Sequence, residues 1–236
     1  MNKVYACSDL HGMKELYNKI SNFLDDTDKV YFLGDAGDRG PNSWEMIKLI
    51  RNDERFIYIK GNHEDMLAAA MNRYPAKGQD FSLLRMNGGE DTLNGWAEEG
   101  ADKEWVSYLN NLPAALLYTN KAGTDVLLCH AGCTPWYDEE KDTLELPREE
   151  ELVWDRYHFD DDWHMDEDLI VVHGHTPQTL MGRYLNGHSI HKDGITTYCG
   201  GHKINIDNGA FFTQMTVLLD LDTFETHKFY CDDLFT

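Results

Sequence analysis

Residues 30–40 read VYFLGDAGDRG. A short apolar, β-prone run stops at a glycine and is followed at once by Asp35, Asp38 and Arg39 among three glycines. The loop has neither the GxGxxG spacing nor the GxxxxGK[ST] lysine of nucleotide-phosphate loops, so its glycines alone do not identify it. Pro41 then sits where a helix can start, and Trp44, Ile47 and Ile50 mark one face of that helix. The same order flanks it on both sides. Val4 to Cys7 precedes apolar positions at helical spacing (Leu16, Ile20, Phe23, Leu24), and Phe56 to Ile59 precedes a helical stretch from Glu64 to Arg73. Strands alternating with helices predict βαβ units and a parallel sheet. From about Tyr74 to Leu112 the chain reads as mostly helical around NGGEDTLNG. From Ala114 onward it turns to β-rich pieces: AALLY, VLLCH, LIVVH, TTYCG, KINID and MTVLLDL.

With 236 residues, 42% apolar and 12% aromatic, the chain can bury a sizeable core, and residues 1–236 are expected to form a single domain. No apolar run approaches the roughly 20 residues that span a bilayer, and MNKVYACSDL carries no apolar leader. Five cysteines without CxxC spacing read as reduced thiols. A cytoplasmic location follows as the expectation. A net charge of −21 argues against a nucleic acid polymer or an anionic membrane as partner. Residues 138–168 hold 15 acidic and 3 basic side chains, a net of −12. They are read as a solvated acidic surface, with a lip for basic protein segments as the sharper alternative.

The polar groups sit just past the predicted strands: SDLHG after the first, GDAGDRG after the second, GNHE after the third, and HAG and HGHT later. In α/β sheets this is the ligand-binding edge. Asp9, His11, Asp35, Asp38, Asn62, His63, His130 and His175 offer oxygen and imidazole nitrogen without cysteine, a set that suits Mn, Fe or Zn more than Ca or Mg. Carboxylates brought together need cations to neutralise them. Asp35 can bridge two ions through its two oxygens, and ions roughly 3.5–4 Å apart would stabilise both attacking and leaving oxygens at phosphorus.

SDLHG, GDAGDRG, GNHE, CHAG and GHT, in this order, resemble the calcineurin-like metallophosphoesterases, and more narrowly their phosphoprotein phosphatase branch, including bacterial and phage serine/threonine phosphatases. The resemblance implies an α/β fold, an αββα sandwich of two mixed β-sheets flanked by helices. It implies two divalent metal ions, manganese first, with iron or zinc as alternatives. Asp9, His11 and Asp35 would hold one; Asp35, Asn62, His130 and His175 the other. His63 would protonate the leaving group with Asp38 orienting it, and Arg39, Arg156 in LVWDR and Asn62 would bind substrate phosphate. NGG at residues 87–89 also resembles this branch, without an assigned role.

The expected activity is phosphomonoester hydrolysis, with a serine/threonine phosphoprotein as first substrate. Symmetrical hydrolysis of a dinucleoside polyphosphate such as diadenosine tetraphosphate is the alternative, and a phosphotyrosine substrate the third. His158, His164, His188, His191, His202 and His227 are set aside as bland. His173 is expected to support His175 from behind, Cys7 and Cys129 to lie in the core, and Asp207 to make a strand-end turn.

Overall fold

In the computed structural model the described residues are 2–74, 81–138, 140–159, 169–185 and 188–232. The acidic stretch 138–168 falls partly outside them, at 139 and 160–168. The three βα units form as expected. Strands β1 (Val4–Cys7), β2 (Lys29–Phe32) and β3 (Phe56–Tyr58) run parallel and in order, joined through α1 (Lys14–Phe23) and α2 (Ser43–Asn52). Beyond β1 the sheet continues antiparallel with β12 (Met215–Asp220) and β13 (Thr226–Tyr230).

The later β-rich pieces do not extend that sheet. They build a second one, in the order β4 (Ala115–Thr119), β5 (Asp125–Cys129), β8 (Ile170–His173), β11 (Lys203–Asn205), β10 (Ile195–Tyr198), β9 (Ile190–Lys192). Within it β5, β8 and β11 are parallel and the outer strands antiparallel. A small ribbon pairs β6 (Trp136–Asp138) with β7 (Thr143–Glu145).

Alternation along the strands explains the layers. Side chains of successive strand residues point to opposite faces. In β1, Ala6 joins Val126, Leu128, Val172, Ile204, Val217 and Leu219 in the core between the sheets, whereas Tyr5 and Cys7 face the helices with Leu16, Ile20, Ile47 and Ile50. On the far side of the second sheet Leu127, Cys129 and Val171 pack on Leu152 of α7 (Glu149–Trp154). The result is the expected αββα sandwich, and Cys7 and Cys129 are core residues. Each fully buried Leu or Ile contributes about 1.5–3 kcal/mol.

Two local expectations need correcting. Phe23 is 42% exposed, because α1 ends there and its ring packs at the sheet margin on Phe229 and His227 instead of entering the core. The third helix, α3 (Asn62–Arg73), starts two residues before Glu64, since the Glu64 carboxylate accepts the Gly61 N–H at 2.9 Å and caps the first turn. This places Asn62 and His63 inside the helix. The middle segment is helical as read, with α4 (Ser82–Met86), α5 (Glu90–Glu98) and α6 (Glu104–Asn110).

Arg55 fastens the end of α1 to the β3 side of the sheet. It donates to Ser21 O at 3.0 Å and Leu24 O at 3.3 Å while its guanidinium forks onto Asp53 at 2.9 and 2.7 Å. Arg55→Ala should lower stability by about 1.5–3 kcal/mol, read as a lower melting temperature with cooperativity intact. Burial raises the Asp53 pKa, but hydrogen bonds from Arg55 and Tyr17 outweigh it and leave the carboxyl below its ordinary value. The contribution of Asp53 is therefore complete above the usual carboxylate value of about 3.9 and is lost as pH falls through the lower folded value.

Candidate active site

Five strand ends, three from one sheet and two from the other, deliver the polar motifs to one rim. The loops after β1 and β2 run side by side: Asp9 N–H donates to Gly34 O at 3.1 Å and His11 N–H to Asp35 O at 3.0 Å. The two sheets are stitched by His175 N–H donating to Asp9 Oδ2 at 3.0 Å, while within the second sheet Gly174 N–H donates to His130 O at 2.9 Å. Asp9, His11, Asp35, Asp38, Arg39 and His175 all take positive φ, between 42° and 66°. Non-glycine residues pay a strain for this region, and such residues cluster where function over-determines the backbone. Gly34 and Gly61 approach so closely that a Cβ on Gly34 would lie 2.5 Å from Gly61 Cα.

Asp35 is the centre. Its Oδ2 lies 3.6 Å from His11 Nε2 and 3.8 Å from His63 Nε2, while its Oδ1 lies 3.4 Å from His130 Nε2. Two buried ligand groups result, His11–Asp35–His63 and Asp35–His130–His175, and Asp35 is common to both. Asn62 Oδ1 joins the second, 3.0 Å from His130 Nε2 and 2.9 Å from His175 Nδ1. Asp9 flanks the first, with Oδ1 4.0 Å from His11 Nε2. Backbone carbonyls set the ring orientations: His11 Nδ1 donates to Gly37 O at 2.9 Å and His130 Nδ1 to Leu33 O at 2.6 Å. In the neutral ring each Nε2 is thereby left with its lone pair toward the site.

The electrostatics call for cations. Burial pushes Asp9 up to about 7, with Asp35 adding to it against His130. Burial opposes a proton on His130, but Asp35 and Asp9 draw it up to about 10. Burial opposes ionisation of Asp35 too, yet His130, His63 and His11 hold its carboxyl well below the usual range. Within the protein alone, protons must offset the carboxylates. Divalent ions do the same on deprotonated ligands. His175 Nε2 is buried without a hydrogen-bond partner among the described residues. The donor set fits two divalent ions.

His63 Nδ1 lies 2.6 Å from Asp38 Oδ2. Burial lowers the His63 pKa, but Asp35 and Asp38 together leave it raised, the direction a proton donor needs. The Arg39 guanidinium spans the site, 2.7 Å from His11 Nε2 and 2.8 Å from His63 Nε2, so it would have to release both nitrogens for metal binding and proton transfer. Arg156 reaches the opposite side, where its Nε donates to Thr176 Oγ1, next to His175, at 3.1 Å. All the predicted site residues are thus brought together.

The roles of Glu64, of the NGGEDT segment and of His158 are not legible in the sequence, and His173 is placed differently from its expected position. Glu64, quoted only as the end of GNHE, is buried and accepts from Asp35 N at 2.8 Å, Ala36 N at 3.0 Å and Tyr58 OH at 2.7 Å, so it shapes the Asp35 loop. NGGEDT now has a purpose. Gly88 O accepts from Arg39 N at 2.9 Å, Thr92 hydrogen-bonds Asp38 Oδ1, and a Cβ on Gly89 would lie 2.7 Å from Asp38 Oδ2. Thr92→Val should lower kcat about threefold to tenfold with KM little changed, by loosening Asp38; an unchanged kcat would dismiss Thr92 as a positioning residue. His173, expected behind His175, instead meets Tyr198 OH at 2.7 Å and packs on Phe159. His158, set aside as bland, is buried. Asp207 makes the expected turn, its Oδ1 accepting from Gly209 N at 2.7 Å.

The family model for calcineurin-like phosphoesterases matches residues 2–205. The chain belongs to this family. Among similar proteins, the symmetrical bis(5'-nucleosyl)-tetraphosphatase of Nitrosococcus oceani is 30% identical over 57% of this chain and 45% of its own length. The chain thus spans about half of that relative. The asymmetrical bis(5'-nucleosyl)-tetraphosphatase PrpE of Oceanobacillus iheyensis is 24% identical over 89% of this chain and 85% of its own. The fold is shared with a solved structure described as a putative diadenosine tetraphosphatase, at a TM-score of 0.60, 15% identity and coverage of 98% and 95%. It is shared also with a serine/threonine phosphatase from Saccharomyces cerevisiae, at 0.57, 15% identity and coverage of 99% and 81%. Among the described residues, no helix is long and apolar enough to cross a membrane.

Proposed function

We propose that the phosphoesterase hydrolyses dinucleoside polyphosphates, using two divalent ions, manganese first, in a single catalytic domain acting in the cytoplasm. One observation carries the substrate: the PrpE relative aligns with 89% of this chain and 85% of its own, well past the shared motifs. This reverses the order in which the motifs alone rank the substrates.

Asp9, His11 and Asp35 would hold one ion, and Asp35, Asn62, His130 and His175 the other. When bound, two divalent ions would supply Lewis-acid charge stabilisation and lower the pKa of a water between them. Arg39 forks onto phosphoryl oxygens, and Arg156 and Asn62 hold the same phosphate or its neighbour. Asp38 fixes the His63 ring through Nδ1, so that Nε2 delivers the proton to the departing oxygen. A phosphoprotein remains the second reading, favoured by the acidic 138–168 stretch, which would attract basic segments.

Turnover of the manganese-loaded protein on diadenosine tetraphosphate and on a phosphothreonine peptide, side by side with His63→Asn, decides between them. A strong preference for the dinucleotide is expected, and the products (two ADP, or ATP and AMP) report the symmetry of cleavage. A strong preference for the peptide would overturn the proposal in favour of the second reading.

A further inference from the structure

Next to the site lies a cavity of about 190 Å³ that none of the roles above uses. Its walls include Trp136, Glu151, Asp155, Tyr157 and His158. It adjoins the catalytic rim through the chain itself. Tyr157 and His158 follow Arg156 directly, and Gly132 of the same wall stands two residues past His130.

Three observations bear on its occupant. Trp136 and Tyr157 are 50% and 83% exposed, so two large aromatic side chains line one small cavity while leaving much of their surface to solvent. His158 is only 4% exposed, yet neither ring nitrogen has a hydrogen-bond partner among the described residues. A buried polar group left unmatched is costly, and each such group in a native fold asks for a reason. Finally, the wall carries two carboxylates, Glu151, paired with Arg148 at 2.7 Å, and Asp155, which disfavour phosphate and suit N–H donors.

We propose that this cavity binds the nucleobase of the substrate nucleotide, stacked on Trp136 and Tyr157 and read at its edge by His158, with the phosphates on the Arg39 and Arg156 side. Burial holds the His158 pKa well below its ordinary value, so the ring is neutral and offers one donor and one acceptor. A purine edge carries an exocyclic amino donor beside ring-nitrogen acceptors, so it can pair with whichever His158 nitrogen faces the cavity. A lysine or arginine side chain of a peptide would meet the acidic wall and the aromatic faces, but it brings donors only and so can pair with His158 only through its acceptor nitrogen. The polarity is thus divided: basic groups take the phosphates, and aromatic, neutral and acidic groups take the base.

The inference rests on the nucleotide reading above, but its test is separable from it. Binding of ADP and of inorganic pyrophosphate is measured by calorimetry on the manganese-loaded His63→Asn protein, in which turnover is suppressed. ADP should bind at least about tenfold more tightly than pyrophosphate. Trp136→Ala and Tyr157→Ala should each weaken ADP by about 5- to 150-fold, the range for base–aromatic stacking, and leave pyrophosphate unchanged. His158→Phe, which keeps the ring volume, should weaken ADP selectively as well. Equal affinity for ADP and pyrophosphate would overturn the assignment, as would variants that weaken both ligands alike. Selective loss of a basic phosphopeptide instead of ADP would make the cavity a site for a cationic side chain and also overturn it. A protein that binds ADP through these residues but does not cleave diadenosine tetraphosphate would refute the proposed function and keep the cavity assignment. One that cleaves it with no gain for ADP over pyrophosphate would do the reverse.

Discussion

Asp35→Asn should reduce bound metal from two ions per chain to one or none and lower turnover by roughly a thousandfold or more, since a metal ion supplies several kcal/mol of transition-state stabilisation. The substitution is chosen for its backbone. Asp35 sits at φ 60°, and asparagine tolerates that left-handed region as well as aspartate does, so the loop is kept while the charge is removed. The size of the effect follows from the position of the carboxylate. Its two oxygens face different histidine groups, Oδ2 toward His11 and Oδ1 toward His130, so one substitution damages both ligand sets. His11→Asn, by contrast, should spare the second ion. Metal analysis after equilibrium dialysis makes the comparison. An Asp35→Asn protein with two ions and normal turnover would sink the bridging role.

His63→Asn should cost about 10²- to 10⁴-fold in kcat on a substrate with a poor leaving group, such as a phosphothreonine peptide or a simple alkyl phosphate. The loss should be much smaller on an aryl phosphate, whose leaving oxygen needs less help from a proton. A uniform loss on both substrates would mean that His63 holds the site together rather than donating a proton. Asp38→Asn should reproduce the same leaving-group dependence in weaker form, because Asp38 acts only through the His63 ring at 2.6 Å. Metal content should be unchanged in both variants, which separates these effects from those at Asp35.

The readable part of the molecule was the part written locally. A run such as Val30 to Leu33 ending in GDAGDRG states its strand, its turn and its chemistry within eleven residues, and the spacing of Trp44, Ile47 and Ile50 states the buried face of the next helix. Periodicity reports burial, so the βα units and the helical middle were legible. Ordered motifs did the rest: Asp9, His11, Asp35, Asp38, Arg39, Asn62, His63, His130, Arg156 and His175 could all be nominated from the chain.

What the sequence determined by itself was therefore which residues carry polar chemistry at strand ends, and along which short elements. The motif resemblance implies two sheets, but only the tertiary structure decided which strand ends belong to which, because the choice of pairing partner depends on contacts far apart in the chain, as between β8 and β11. It also decided that Thr92 braces Asp38 across 54 positions and that Glu64 turns back to hold the Asp35 loop. Such partners follow no period, and neither does a buried, unmatched ring such as His158. A hydrogen bond or a cavity is fixed by proximity in space, which a one-dimensional pattern of apolar and polar residues records only where neighbours in the chain are also neighbours in the fold.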